Sequence, residues 1–451
     1  MAEDYSPIRS CKICILFVIL LIIATPIFTS AESNSRNVRH RLKRLNKPPV
    51  KTIKSPDGDI IDCVDIAHQP AFDHPLVRTI QFRCIAMRPS FRPEGVVSGE
   101  SDVVSAVKES RSVSQLWHLN GRCQEGTIPI RRTKRSDILR ASSIERFGKK
   151  KKKSSPTNPR FMPPQTGQNY SNGHEYAAVY EEGGTYFGAK ARINVWRPQI
   201  QQDNEFSLAQ IWIVSGTSGE DIETVEVGWL ADGYEETGCF NLLCEGFVQT
   251  SSKLALGAAI YPLSGYGGSQ YDITPLVWKD PGDGNWWLQI EDQVLGYWPF
   301  SLFSHLKDSA TMIEWGGEIV DSRTGGEHTA TVMGSGHFPR EGFGKAGYFR
   351  NIQIVDGFNK LVEPAQLATF TSHPVAMISD QTTVEHGKPT FTTGVLVEAL
   401  VVHDLSHHTS IKRLLNRGQI EHPLHLKGLN QGEQTLISCR PKRECPYRLG
   451  T

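Results

Sequence analysis

Two glutamates, Glu226 and Glu318, are the residues of this chain best placed to do chemistry. Each lies in a short run that reads as a strand: Thr224-Val225-Glu226-Val227-Gly228-Trp229, and Glu314-Trp315-Gly316-Gly317-Glu318-Ile319-Val320. Side chains alternate across a strand, so Val225, Val227 and Trp229 share one face while Thr224, Glu226 and Gly228 share the other. The second run repeats the layout, with Trp315 and Ile319 on one face and Gly316 and Glu318 opposite. Each carboxylate has a tryptophan-bearing apolar face behind it and small residues beside it, which suits an open cleft floor that a peptide backbone approaches closely. Hydrolysing an amide needs a base to activate water, an acid for the leaving nitrogen and a donor for the oxyanion. Two carboxylates held close together do not both ionise easily, so such a pair supplies an acid and a base in one site. Either glutamate fits either part at this stage. Gln210, Trp212 and Tyr297 are candidate donors or walls of the substrate cleft.

Other chemistries fit less well. A strand glutamate is usually solvated surface, and the pattern alone does not distinguish the two readings. Gly334-Ser335-Gly336-His337 sets a serine beside a histidine, but it lacks a Gly-x-Ser-x-Gly elbow and an evident acid to orient the base. His403, His407 and His408 lack the His-Glu-x-x-His arrangement, and Cys239 and Cys244 lack a second ligand pair, so neither a metal nor a cofactor is expected. Two carboxylates on a sandwich also suit glycosidic cleavage. A non-catalytic module binding sugar or protein is the second class of reading.

The elements that must hold the glutamates are strands. From about residue 170 to 360, short alternating runs such as 206–214, 254–260, 286–290 and 349–355 are separated by Gly/Asn/Asp turns, with little helical periodicity. This pattern predicts an all-β, antiparallel, jelly-roll-like β-sandwich. Trp196, Trp212, Trp229, Trp286 and Trp315 are assigned to its core, those nearest the glutamates serving the cleft as well. Ahead of it, residues 51–135 carry short apolar runs, Pro, Gly and Trp117, and read as a small α+β domain. Residues 32–50 are basic and polar, with nothing to build a core. Residues 136–165 hold the lysines of 149–153, serines and prolines, the composition of an exposed, cleavable linker.

The amino terminus sets the compartment. An apolar run at 13–24 and the small residues Thr29-Ser30-Ala31 read as a signal peptide over 1–31, with an uncleaved anchor as the alternative. The chain of 451 residues has a net charge of +1, which predicts no nucleic-acid partner and no membrane partner once the signal is removed. A secreted, extracellular (apoplastic) or vacuolar monomer is expected. In an oxidising compartment the cysteines pair: Cys239 with Cys244 across a short step, and Cys63 with Cys123, leaving Cys84, Cys439 and Cys445 unassigned. Asn169-Tyr170-Ser171 is a glycosylation sequon.

Beyond the glutamate runs, the motifs Asp232-Gly233-Tyr234, Thr237-Gly238-Cys239-Phe240-Asn241-Leu242-Leu243-Cys244, Gly246-Phe247-Val248-Gln249-Thr250, Trp278-Lys279-Asp280-Pro281, Gly284-Asn285-Trp286-Trp287, Gly296-Tyr297-Trp298-Pro299 and Gly334-Ser335-Gly336-His337-Phe338 follow in order. Together they closely resemble the neprosin family of secreted plant glutamic peptidases, which cleave next to proline. The resemblance runs from about Tyr176 to Pro374, and residues from about Ile60 to Arg131 resemble the family's activation peptide. It implies a sandwich fold, Glu226 and Glu318 as the catalytic pair, a Cys239–Cys244 bond, and as partners proline-containing polypeptides and the chain's own propeptide. The implied layout is a zymogen: signal 1–31, activation peptide 51–135, linker 136–165, peptidase domain 166–374 and a divergent tail, 375–451, expected to lack regular structure. Two departures stand out. Family members carry a further turn and aromatic strand where Trp229 here runs directly into Leu230-Ala231-Asp232, and the tail lacks the cysteine expected after Pro374. These predict a damaged cleft or an inactive relative that binds carbohydrate or protein.

Overall fold

The computed structural model describes residues 35–79, 87–95, 111–112, 114–140, 147, 173–216, 222–232, 241–243, 246–320, 322–323, 328–372, 377–384, 392–399 and 434–439. The signal segment, the 149–153 lysines, Asn169, Cys239 and Cys244 lie outside them, as do Cys84, Cys445 and the histidines at 403, 407 and 408.

The architecture is the expected antiparallel β-sandwich with a small α+β domain before it. The first large sheet holds β5 (His174–Tyr186), β7 (Phe206–Ser215), β8 (Glu223–Asp232), β14 (Ala310–Val320), β17 (Ala368–Thr371) and β20 (Gln434–Cys439), in the order β17-β5-β14-β7-β8-β20. The second is built on β6 (Gly188–Asn194), β9 (Val248–Gln249), β11 (Pro275–Lys279), β12 (Trp286–Ile290), β13 (Gln293–Trp298), β15 (Tyr348–Val355), β18 (Met377–Val384) and β19 (Thr392–Ala399), in the order β18-β19-β15-β6-β11-β12-β13-β9. Two short strands, β10 (Tyr271–Ile273) and β16 (Leu361–Val362), pair with β6 and β15 respectively. The activation region forms its own antiparallel sheet from β1 (Pro49–Lys54), β2 (Ile60–Asp65) and β4 (Thr127–Arg131). Its strand β3 (Arg111–Ser112) pairs in parallel with β10.

Alternation decides what is buried between the layers. Val179, Ile211, Ile213, Val225, Val227, Trp229, Trp315 and Ile319 from the first sheet meet Ala189, Ile193, Val277, Leu288 and Trp298 from the second in one apolar cluster. Indole N–H groups are costly to bury unpaired, and those of Trp229 and Trp286 find carbonyls: Trp229 Nε1 donates to Asn194 O and Trp286 Nε1 to Leu306 O, both at 2.8 Å. Trp196, Trp229, Trp286 and Trp315 are buried as expected. Trp212 is buried too, but on the opposite face of the first sheet, with Phe206, Leu208, Val214, Leu230 and Met312.

Three expectations are corrected here. Residues 35–45, read as polar and coreless, are helical. Val38, Leu42 and Leu45 fall at helical spacing and pack with Ile138, Phe147 and Leu243, a stripe that a search for period-two patterns overlooks. The linker read from 136 likewise begins with ordered chain, the helical turn Arg135–Arg140, with Ile138 buried. The tail supplies three strands: β18 and β19 extend the second sheet, and β20 pairs with β8. An edge strand exposes unpaired N–H and C=O groups. Along β8 those groups are met by β20, with Cys439 opposite Glu226 in register.

In the activation region, Cys63 and Cys123 form the expected disulfide, closing a separation of 60 residues. In the chain-entropy model such a loop stabilises by about 4 kcal/mol.

Candidate active site

β7 runs between β14 and β8, and the register sets out three rows of side chains on the face away from the core. One row is Tyr176, Glu318, Leu208 and Leu230; the middle row is Ala178, Gly316, Gln210 and Gly228; the third is Tyr180, Glu314, Trp212 and Glu226. Both predicted glutamates therefore lie on one face of one sheet. They are two strands and four residues apart, about 10 Å across and about 13 Å along a flat sheet. The register thus places them in the rows on either side of the one that holds Gln210, diagonally across it instead of side by side. Both are buried, at 6% and 7% exposure, where the sequence suggested an open floor.

The middle row explains the glycines. A Cβ on Gly228 would lie 2.0 Å from Ala209 O and 2.5 Å from Gln210 Cβ, and one on Gly316 would lie 2.4 Å from Ala177 O. No side chain fits at either position, so Gln210 has strand without side chains immediately on both sides. Gln210 is fully buried. Its Nε2 donates to Glu226 Oε2 at 2.9 Å, while its Oε1 is buried without a hydrogen-bond partner. Thr224 Oγ1 donates to the other Glu226 oxygen at 2.8 Å.

Glu318 has a different setting. Tyr176 donates its hydroxyl to Oε1 at 3.0 Å, and His174 Nδ1 lies 2.5 Å from the same oxygen. The imidazole is itself fixed by stacking on Tyr176 and by an edge contact with Phe206. Burial, then the carboxylate of Glu318 and those of Glu226 and Glu314, push the Tyr176 phenol well above its ordinary range. Tyr176 thus remains a neutral O–H donor, within the field of all three carboxylates.

Of the predicted cleft residues, Gln210 and Trp212 are at this face and Tyr297 is not. Tyr297 is fully buried in the second sheet, in register with Trp287 and, through it, Trp278, and its hydroxyl lies 3.2 Å from Met87 Sδ. Strand alternation gives a residue's face but not the sheet its strand joins. Sequence reasoning also missed His174, Tyr176 and Glu314. Glu314 was within reach, since it precedes Glu318 by four and so shares its face. His174 and Tyr176 alternate in the same way on β5, but only the β5–β14 register brings them to Glu318. At the alternative serine, Ser335 Oγ accepts the backbone N–H of His337, and His337 Nδ1 lies 3.1 Å from Glu341, an acid not evident from the sequence.

β8 is tied in place three residues before Glu226. The Glu223 carboxylate accepts the backbone N–H groups of Ser304, His305 and Leu306, at 2.7, 2.8 and 3.0 Å.

Comparison with known families matches a neprosin activation peptide over residues 52–180 and a neprosin domain over residues 229–392. Among solved structures, the chain matches SCP-B, a member of the eqolisin family of peptidases in complex with the tripeptide Ala-Ile-His. That match has 11% identity, covers 51% of this chain and 98% of that one, and gives a TM-score of 0.28. Scytalido-glutamic peptidase with a peptide-based transition state analog matches at 10% identity, with the same coverage and TM-score.

Proposed function

We propose that this chain, which belongs to the neprosin family, is a secreted endopeptidase made as a zymogen that hydrolyses peptide bonds next to proline at acid pH, with Glu226 and Glu318 as its catalytic pair. The observation that carries the reading is that both carboxylates share one sheet face, in the rows on either side of the one where glycines flank Gln210. A peptide group and a water laid diagonally across that row, from Glu318 to Glu226, bridge the two glutamates. Glu318, beside His174 and Tyr176, is suited to be the ionised base that takes a proton from water. Glu226, held by a neutral amide and a hydroxyl, is suited to be the acid that polarises the scissile carbonyl and then protonates the amine. Tyr176, a neutral donor whose single O–H goes to Glu318, holds that carboxylate in place.

The test is cleavage of a proline-containing peptide by the acid-processed protein, set against Glu226→Gln and Glu318→Gln. Each substitution should abolish turnover while leaving the fold intact, because acid and base act as a unit. Unchanged turnover in either variant removes the assignment. The missing family stretch after Trp229 favours one other reading, an inactive relative that binds carbohydrate or protein. A polysaccharide pull-down in parallel, positive where peptide cleavage is absent, selects it.

A further inference from the structure

The activation peptide does more in this structure than lie beside the peptidase. β9 is the outer strand of the second sheet, and its backbone is paired by a side chain: Gln69 Nε2 donates to Gln249 O at 3.1 Å while Gln249 N donates to Gln69 Oε1 at 2.8 Å. Gln115 does the same for the loop that follows. Its Nε2 donates to Ala255 O at 2.7 Å, and its Oε1 accepts both Ala255 N at 2.9 Å and Trp117 Nε1 at 2.8 Å. Both glutamines are buried. Backbone pairing continues through β3 on β10, and through Ser114 with Tyr261 and Glu94 with Asn359 and Leu361. Fully buried Asp280 accepts the N–H groups of Ser90 and Phe91, and Trp278 Nε1 donates to Phe91 O.

The apolar contacts agree. Ala71, Phe72, Val77 and Ile128 belong to the same cluster as the sandwich core, and Trp117 packs on Ala255 and Ala258. Met87 reaches Tyr297 in the aromatic row with Trp287 and Trp278, all three fully buried. The contacts named fall on the second sheet and its flanking loops, the layer across the sandwich from the glutamates. Buried backbone groups without partners are strongly disfavoured, and an uncovered row of large aromatics is an aggregation surface. The second sheet on its own would present both.

We propose that the activation peptide is a folding template for the second sheet, so that the peptidase domain reaches its fold only against residues 49–131. This goes beyond the proposed catalytic reading, and its readouts are structural, so they stand whether or not the glutamates cleave peptides. In the full-length chain carrying Gln69→Ala and Gln115→Ala, amide hydrogen exchange across 248–260 should quicken at least tenfold, with loss of protection spreading to β11–β13. Loss confined to 49–131, with 248–298 unchanged, overturns the proposal. Where that variant gives no folded protein, a second experiment decides. A specific protease site is placed in 149–153 of the full-length chain, the folded protein is nicked and unfolded, and the fragments are separated. The large fragment is then refolded with or without an equimolar amount of the small one and followed by tryptophan fluorescence. Native yield should be at least tenfold higher with the small fragment present, and a yield no higher with it than without it overturns the proposal.

Discussion

Replacing Gln210 by leucine separates catalytic positioning from stability. The substitution removes the 2.9 Å hydrogen bond to the Glu226 carboxyl, and such a bond to a protonated, neutral acid is worth about 0.5–1.5 kcal/mol. It also removes Oε1, a buried acceptor without a partner, whose burial costs about 1–3 kcal/mol. The two offset each other, and leucine fills a similar volume between Gly228 and Gly316. The net change in stability should stay within about 1.5 kcal/mol, a Tm shift under about 6 °C for a domain of this size. Activity has no such compensation. Glu226 keeps the Thr224 hydroxyl but loses the donor that fixes its carboxyl toward the middle row. A misplacement on the order of 1 Å costs about a hundredfold in rate, so kcat should fall by about a hundredfold with KM within a few fold. Continuous cleavage of a quenched fluorescent proline peptide at acid pH, beside a thermal melt, measures both. A kcat within threefold of the parent refutes the positioning role, and a Tm loss above about 10 °C shows that Gln210 is a structural residue.

Glu223→Ala strips three backbone N–H groups of their acceptor, and Leu306 is buried; a loss of about 3 kcal/mol and a Tm fall of about 6–12 °C are expected, and a melt within 2 °C of the parent contradicts this. Burial pushes the Asp283 and Glu291 carboxyls above their ordinary values. Between the unfolded and the folded pKa the native state binds more protons, so their contribution to stability is present at acid pH and is lost as pH rises through the folded pKa. Asp283→Asn with Glu291→Gln should therefore flatten the dependence of Tm on pH above the ordinary carboxyl range, and an unchanged pH profile argues against it. Peptidase activity should trace a bell on the acidic side whose two limbs belong to the coupled carboxyls jointly; an alkaline optimum, or loss of activity to a chelator or a serine-protease inhibitor, points to other chemistry. Acid treatment of the full chain should release a fragment that begins within or just after residues 149–153, and recovery of only the full-length species in fully active form contradicts the zymogen reading.

The sequence determined by itself what depends on local periodicity. Alternation in the runs around Glu226 and Glu318 placed Val225, Val227, Trp229, Trp315 and Ile319 toward the core and both glutamates away from it, and all seven lie as read. Spacing of turns and strands was enough for an antiparallel sandwich, because a two-residue period is a property of each strand alone. What joins strands far apart in the chain was not legible. Tyr297 reads like a cleft residue until β13 is seen beside β12 in the second sheet. His174 and Tyr176 reach Glu318 only because β5 pairs with β14 across 142 residues of chain. The tail strand β20 read as structureless, since what gives it a place is the open side of β8. Strand order and register are fixed by the fit of whole sheets around a shared core, so only the tertiary structure decided which side chains meet the two glutamates.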